Sequence, residues 1–300
     1  MMHRNSICAR WLGGFLACLA PLCLNAQPLI ISDGSHGIYE QLVKDVFEQY
    51  QEDGIEPIIY ALDQPHSAPS QHELSLIDEV VSIGSGAMKA IFEYKSLEVP
   101  SLSLLTTKES YLEQIAENPR DAALRSVIYL NQPLNRIVHV GKSVFEDPVE
   151  YIIFDNKRFQ QQRDIIHQQV ITYKPLVDNT VIKAIRNLDS TPQKAIIALP
   201  SHTAFTPITI KNTLISAYKA QIPIIGYSQS FTQAGALFSV HSDVERLPDE
   251  VRLWRESRHR QSQRASRYYI VSINHQIARS LDIELAPKWQ KERVHLEGSP

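Results

Sequence analysis

Short apolar runs, each closed by a turn cluster and followed by an amphipathic stretch, recur along this chain and leave few architectures open to it. Pro28 to Ser32 (PLIIS) ends at Asp33-Gly34-Ser35-His36-Gly37. Ile38, Leu42, Val43, Val46, Phe47 and Tyr50 then recur at helical spacing, which predicts a helix over 37–52. Asp53-Gly54 stops that helix, and Glu56 to Leu62 (EPIIYAL) supplies the next strand. This strand–helix–strand unit has the size that a right-handed parallel crossover needs. A Pro/Ser/His-rich loop over 63–73 leads to a strand at Glu79–Gly84 (EVVSIG), a helix from Ala87 to Lys95 and a strand at Val99–Leu105 (VPSLSLL). Strands with interleaved helices imply a Rossmann-like lobe ending near 125.

The pattern then restarts. Leu134–Val144 reads as a helix, Tyr151–Phe154 (YIIF) as a strand, Lys157–Gln168 as a polar helix and Val170–Tyr173 as a strand. A helix at Val177–Asn187, a strand at Lys194–Leu199 (KAIIAL), a helix from near Pro207 to Lys219 and a strand at Ile222–Ile225 complete a second α/β set. Beyond Ser242 the composition shifts to an arginine-rich window (Arg246, Arg252, Arg255, Arg258, Arg260, Arg264, Arg267), then a strand at Tyr268–Ile273 and a helix at His275–Leu281. The stretch after Pro287 reads as polar coil. Two consecutive α/β sheets of similar size follow, without an internal sequence repeat.

Arg4 and Arg10 precede the apolar run Trp11–Leu24 (WLGGFLACLAPLCL), and a small residue stands at Ala26. This reads as a secretory signal peptide over 1–26 and implies export to the periplasm. The run is too short, and too broken by Pro and Gly, for a comfortable membrane span. A buried N-terminal helix is the plainer alternative, and Phe15-Leu16-Ala17-Cys18 loosely imitates a lipid-attachment box, so a lipid anchor stays open. All three cysteines (Cys8, Cys18, Cys23) lie inside this segment, so the mature chain is expected to have no disulfide, thiolate nucleophile or cysteine-bound metal. Losing Arg4 and Arg10 moves the formal net charge from −3 to −5. Neither value gives an electrostatic reason to expect nucleic acid or an anionic membrane surface.

The strand ends share one chemistry: Ser32-Asp33, Gly84-Ser85-Gly86, Thr106-Thr107, Asp155-Asn156, Ser201-His202-Thr203 and Tyr227-Ser228. Each puts hydroxyls, carboxylates or free N–H groups at the carboxyl edge of a parallel sheet, where ligands of open α/β sheets sit. The bland alternative at each is a cap for the helix that follows. Gly84-Ser85-Gly86-Ala87-Met88-Lys89 imitates a dinucleotide fingerprint but has Lys where the third glycine belongs. An anionic ligand group at that helix N-terminus is the better expectation. Gly226-Tyr227-Ser228-Gln229-Ser230 resembles a nucleophile elbow short of its second glycine, and a serine esterase using Ser228 would pair it with Asp243 and His259, or with Asp249 and His275. The eleven histidines are scattered, with no His-x₃-His pattern beside an acid, so no metal is expected. The arginine window reads either as a docking patch for an acidic or membrane partner or as a solvated helix face.

Ala195–Pro200, the helix after it, the segment IPIIGYSQSFTQAGALFSV and the closing VSINHQIARSLDIEL, with Asn274, Ala278 and Leu281, resemble the substrate-binding proteins of ABC transporters. The resemblance covers most of 28–287 and is specific over 195–285. It implies an α/β type I periplasmic binding protein: two Rossmann-like lobes with parallel sheets joined by crossing strands. Lobe 1 would comprise 27–125 plus about 236–265, lobe 2 would comprise 126–235 plus about 266–290, and 291–300 would be a polar tail. Ala234–Leu237 would lead the chain across the hinge. The ligand implied is small and polar, amino-acid-like and sometimes aromatic. It would be held by Asp33, Gly84, Ser85, Gly86, Thr106, Asp155, Asn156, Ser201, His202, Thr203, Tyr227 and Ser228, without cofactor or catalysis. The implied partner of a monomeric chain is an inner-membrane ABC permease. The arginine window stands where relatives run through a Gly/Ala-bearing helix, which leaves open a membrane sensor as partner, or an interaction module with a vestigial cleft.

Overall fold

The predicted strand–turn–helix units fold into two separate sheets. A computed structural model of the chain describes residues 27–64, 69–94, 97–145, 147–155, 163–166, 169–177, 180–188, 193–200, 205, 208–259 and 261–298. Residues 1–26, expected as a signal peptide, and Asn156, Ser201, His202 and Thr203 lie outside the described residues.

The first half runs β1 (Gln27–Ser32), α1 (Ile38–Glu52), β2 (Ile58–Ala61), α2 (Gln71–Leu74), β3 (Ile77–Ile83), α3 (Ser85–Glu93), β4 (Ser101–Thr106), α4 (Lys108–Glu117) and β5 (Arg125–Tyr129). The second half begins with α5 (Leu134–Val144), β6 (Glu150–Phe154), β7 (Arg163–Ile166), β8 (Gln169–Lys174), α6 (Val181–Arg186) and β9 (Lys194–Ile197). It continues through α7 (Ile210–Lys219), β10 (Ile224–Gly226), α8 (Gln229–Ala234) and β11 (Phe238–Ser242). Then come α9 (Leu247–Glu256), β12 (Gln263–Ala265), β13 (Tyr268–Ile273), α10 (His275–Ser280) and β14 (Arg293–Glu297).

The first sheet has the order β12-β5-β4-β3-β1-β2 and is parallel throughout. The second has the order β14-β13-β11-β10-β9-β6-β8-β7, parallel from β11 to β8 and antiparallel at both flanks. Successive side chains of a strand point to opposite faces, so each central strand is buried twice. Ile30 of β1 packs with Leu42, Val46 and Tyr50 of α1, whereas Leu29 and Ile31 pack with Ala87 and Ile91 of α3.

The chain passes between the sheets three times: at 130–133 after β5, at 243–246 after β11, and at 266–267 between β12 and β13. These passages are tied to one another. Gln132 Nε2 donates to Ser242 Oγ at 2.9 Å, and Arg136 donates to Gln132 Oε1 at 2.6 Å and to the Ser266 carbonyl at 2.7 Å. Glu250, wholly buried, accepts from Arg264, from the Ser266 hydroxyl at 3.2 Å and from the Arg267 N–H at 2.7 Å. A buried carboxylate persists only when paired and hydrogen-bonded in this way.

Several boundaries differ from expectation. Residues 163–166 form a strand antiparallel to β8, not part of a polar helix; β-branched Ile165 and Ile166 favour the extended form. The expected polar tail holds β14, whose Val294 and Leu296 pack on the second core while the alternate residues face out. Residues 234–237 do not cross the hinge: Ala236 and Leu237 are buried and lead into β11, and the crossing comes only at Asp243. β5 and β12, both short, extend the first sheet beyond the expected strands.

Candidate functional site

At the carboxyl edge of the first sheet, Asp33 follows β1 and faces the start of α3. Its carboxylate accepts the Gly86 N–H at 3.1 Å and also the Ala87 N–H. A helix N-terminus carries unpaired N–H groups and partial positive charge, so a carboxylate there is stabilising. The anion at this helix end is therefore the chain's own. Gly84, at φ 112°, is required twice over: its backbone is left-handed, and a Cβ would lie 2.2 Å from Asp33 Cγ. Ser85 Oγ and Thr106 Oγ1 are 3.0 Å apart, so Asp33, Gly84, Ser85, Gly86 and Thr106 form one linked edge. The edge lies at the switch point of the first sheet, where β1 and β3 diverge to opposite sides.

The facing edge belongs to β10. Ser228 caps α8 by accepting the Phe231 N–H at 3.3 Å, and its backbone is extended (φ −154°, ψ 158°) without the strain of a nucleophile elbow. Tyr227 packs edge-on to Phe231 at 5.1 Å between ring centroids, and Phe231 packs likewise on Phe205 at 5.9 Å. The Tyr227 hydroxyl reaches the Phe205 carbonyl at 3.4 Å, and burial pushes its pKa up. Gly226 is needed for close approach: a Cβ would meet Ser239 Oγ at 2.4 Å and Phe231 Cβ at 2.8 Å.

Between the edges lies a cleft of about 800 Å³. Its first-lobe wall includes Tyr39, Leu42, Leu105 and Leu130, and its second-lobe wall includes Tyr227, Ser228, His241 and Ile270, with Asp243 and Val244 at the second crossing. Of the predicted site residues, Tyr227 and Ser228 line it. Asp33, Gly84–Gly86 and Thr106 stand at the first-lobe edge beside Leu105 and Thr107, which do line it, and Asp155 follows β6 with its N–H on the Lys174 carbonyl at 3.0 Å. Leu105, buried at φ 52°, departs from strand geometry between Ser103 and Thr106, where the pairing with β5 shifts.

The polar residues of the cleft are mostly ones that strand-end reasoning missed. Asp243 is 3 % exposed; its Oδ2 is 2.7 Å from His295 Nδ1, and its Oδ1 has no donor among the described residues. His241 contacts the Ser242 carbonyl at 3.2 Å and Ser272 Oγ at 3.0 Å, and burial lowers its pKa from the ordinary histidine value. Asp45, Glu245 and Arg293 complete the charges of the wall. Burial first, then the Asp33 carboxylate, raise the Tyr39 pKa. Arg293 and His295 come from β14, the stretch read as a tail. Its strict alternation R-V-H-L-E was the available signal.

His259 pairs with Glu79 on the first sheet, Asp243 with His295, and Asp249 with Arg246 at 2.5 Å, so neither proposed acid–histidine pair for Ser228 forms. Among the described residues no group of three or more His, Cys, Asp or Glu is placed to hold a metal ion. The arginine window is largely α9 and its flanks. Arg252 pairs with Glu52 at 3.2 Å, Arg255 with Asp53 at 2.7 Å and Glu79 at 3.0 Å, and Arg264 with Glu250. With Leu247, Val251 and Trp254 in the core beside α1, these ion pairs fasten α9 to the first lobe, and Arg260 lies outside the described residues.

No protein-family model matches the chain, and no curated protein matches it. Solved structures do. A ligand-free, open substrate-binding protein with adhesive properties from Clostridium difficile is similar at TM-score 0.58 and 10 % identity, over 88 % of this chain and 97 % of that one. The ABC domain in complex with L-Trp from Streptococcus pneumoniae is similar at TM-score 0.51 and 16 % identity, over 89 % of this chain and 98 % of that one. The chain has the fold of ABC-transporter substrate-binding proteins. A conserved domain protein from Vibrio cholerae is also similar, at TM-score 0.52 and 14 % identity over 88 % of this chain and 96 % of that one. Among the described residues no helix is long and apolar enough to cross a membrane.

Proposed function

We propose that this chain is an exported solute-binding protein that closes its two lobes over a small, amino-acid-like and aromatic-bodied ligand. It would then deliver the liganded form to an inner-membrane ABC permease or a membrane sensor. The observation that carries this reading is the cleft of about 800 Å³, walled by both sheets and by the crossing that joins them. Small-molecule sites are commonly clefts of about 300–1,000 Å³ with mostly apolar walls and a few polar groups. Tyr39, Leu42, Leu105, Tyr227 and Ile270 supply the apolar wall here. The substrate-binding fold and a neighbour crystallised with L-Trp favour an amino acid over a sugar or nucleotide. Contacts made to both lobes at once exist only in the closed state, so binding would favour closure by their free energy.

The test is a thermal-shift screen of the mature protein against amino acids, amines, peptides, purines and sugars. A one-site ligand at 100 times its Kd stabilises by about 2.7 kcal/mol. For a chain of this size that is roughly a 4–5 °C rise in Tm. No shift with any solute, alongside Ser228-dependent turnover of an ester, would replace the binding reading with a hydrolase.

A further inference from the structure

We propose that Asp243 is the cleft's receptor for a positively charged amine, so that the solute is an amine carried on an apolar or aromatic body. This rests on the solute-binding reading above and names the chemistry of that same cleft. Asp243 is the first residue of the second crossing, held by its own N–H on the Tyr268 carbonyl at 3.0 Å and by His295 on Oδ2. It forms part of the cleft wall, is 3 % exposed, and its Oδ1 has no donor among the described residues. An ionised carboxylate only accepts hydrogen bonds, and a buried acceptor without a donor is a standing free-energy penalty. What relieves that penalty must bring an N–H or O–H, and an ammonium brings charge as well.

The surrounding charges point the same way. Asp45 and Glu245 line the same cleft and add negative potential. The helix N-terminus that an anionic ligand would use, at α3, is already capped by Asp33. Arg293 is the one arginine among the described cleft-lining residues, and a carboxylate beside the amine would meet it. Amino acids and simple amines therefore fit, whereas carboxylates lacking an amine do not. The aromatic and aliphatic walls at Tyr39, Leu42, Tyr227 and Ile270 receive the body.

The experiment is isothermal titration of three probes with one ring and different charge: tryptamine, neutral 3-methylindole and indole-3-propionate. Wild type is expected to bind tryptamine at least about tenfold tighter than 3-methylindole, and indole-3-propionate weakest of the three, as a charge-assisted bond implies. In Asp243→Asn the tryptamine preference should fall to within about threefold of the neutral probe. Because each ratio is taken within one protein, it does not depend on how stable the variant is. Should the variant fail to fold, the wild-type ordering decides alone. Equal affinity of wild type for tryptamine and 3-methylindole, or an undiminished preference in the variant, overturns the inference. If all three probes fail but a sugar or another non-amine solute binds, the amine inference falls and the binding reading stands. If no solute of any class binds, both fall together.

Discussion

Asp33→Ala separates two roles that the sequence could not tell apart: a ligand contact and an internal cap. In the structure the Asp33 carboxylate satisfies two N–H groups, Gly86 and Ala87, at the first turn of a nine-residue helix. Losing a cap costs about 0.5–2 kcal/mol. Removing the charge from the helix N-terminus adds about 0.3–1 kcal/mol. The expected loss is roughly 1–3 kcal/mol in the ligand-free protein, read as a lowered urea midpoint at unchanged m-value. A second substitution sharpens it. A Cβ on Gly86 would lie 2.8 Å from Asp33 Oδ1, and its three nearest neighbours are all atoms of the Asp33 carboxyl group. Gly86→Ala should therefore destabilise wild type but stabilise Asp33→Ala by up to about 1 kcal/mol, the ordinary gain of Ala over Gly in a helix. A ligand-free Asp33→Ala protein as stable as wild type, or additive effects in the double variant, would refute the capping argument.

Gly226→Ala should cost about 1–3 kcal/mol by overpacking against Ser239 Oγ and Phe231 Cβ, measurable by chemical denaturation. Glu250→Ala leaves Arg264, Ser266 and Arg267 without their buried acceptor and should cost about 3–5 kcal/mol, read in the same assay. His241 is held neutral by burial, with a folded-state pKa below its unfolded one, so the unfolded chain takes up its proton first as pH falls. Its contribution is present above the ordinary histidine value and is lost on acidification below it. Wild type should therefore lose more stability than His241→Gln between about pH 7 and pH 5, and parallel curves would contradict this.

Most of the fold was legible because parallel strands buried on both faces read as apolar runs, as at PLIIS, EVVSIG and KAIIAL. What escaped were elements whose signal is weak. β12 is Gln263-Arg264-Ala265, a strand held by pairing to β5 and not by its own composition. β14 hides its two core residues among charged ones. The site was legible only in part, for a physical reason. Strand-end hydroxyls and carboxylates serve capping as readily as binding, and Asp33, Thr107, Ser228 and Asn274 all cap helices here. Asn274, singled out as a family-like motif, accepts the Gln276 and Ile277 N–H groups and donates to the Thr232 carbonyl. Asp243 and Arg293 become cleft residues only through the crossing and the last strand, which no local pattern announces. The role of the arginine window stayed open in the sequence for the opposite reason: its partners Glu52, Asp53 and Glu79 lie about two hundred residues away.

A solute bound between the lobes should close them. Small-angle X-ray scattering of residues 27–300, with and without a saturating solute from the thermal-shift screen, measures this directly. A smaller radius of gyration is expected in the liganded sample, with the molecular mass unchanged. A solute that raises Tm yet leaves the scattering curve of the free protein unaltered would contradict it.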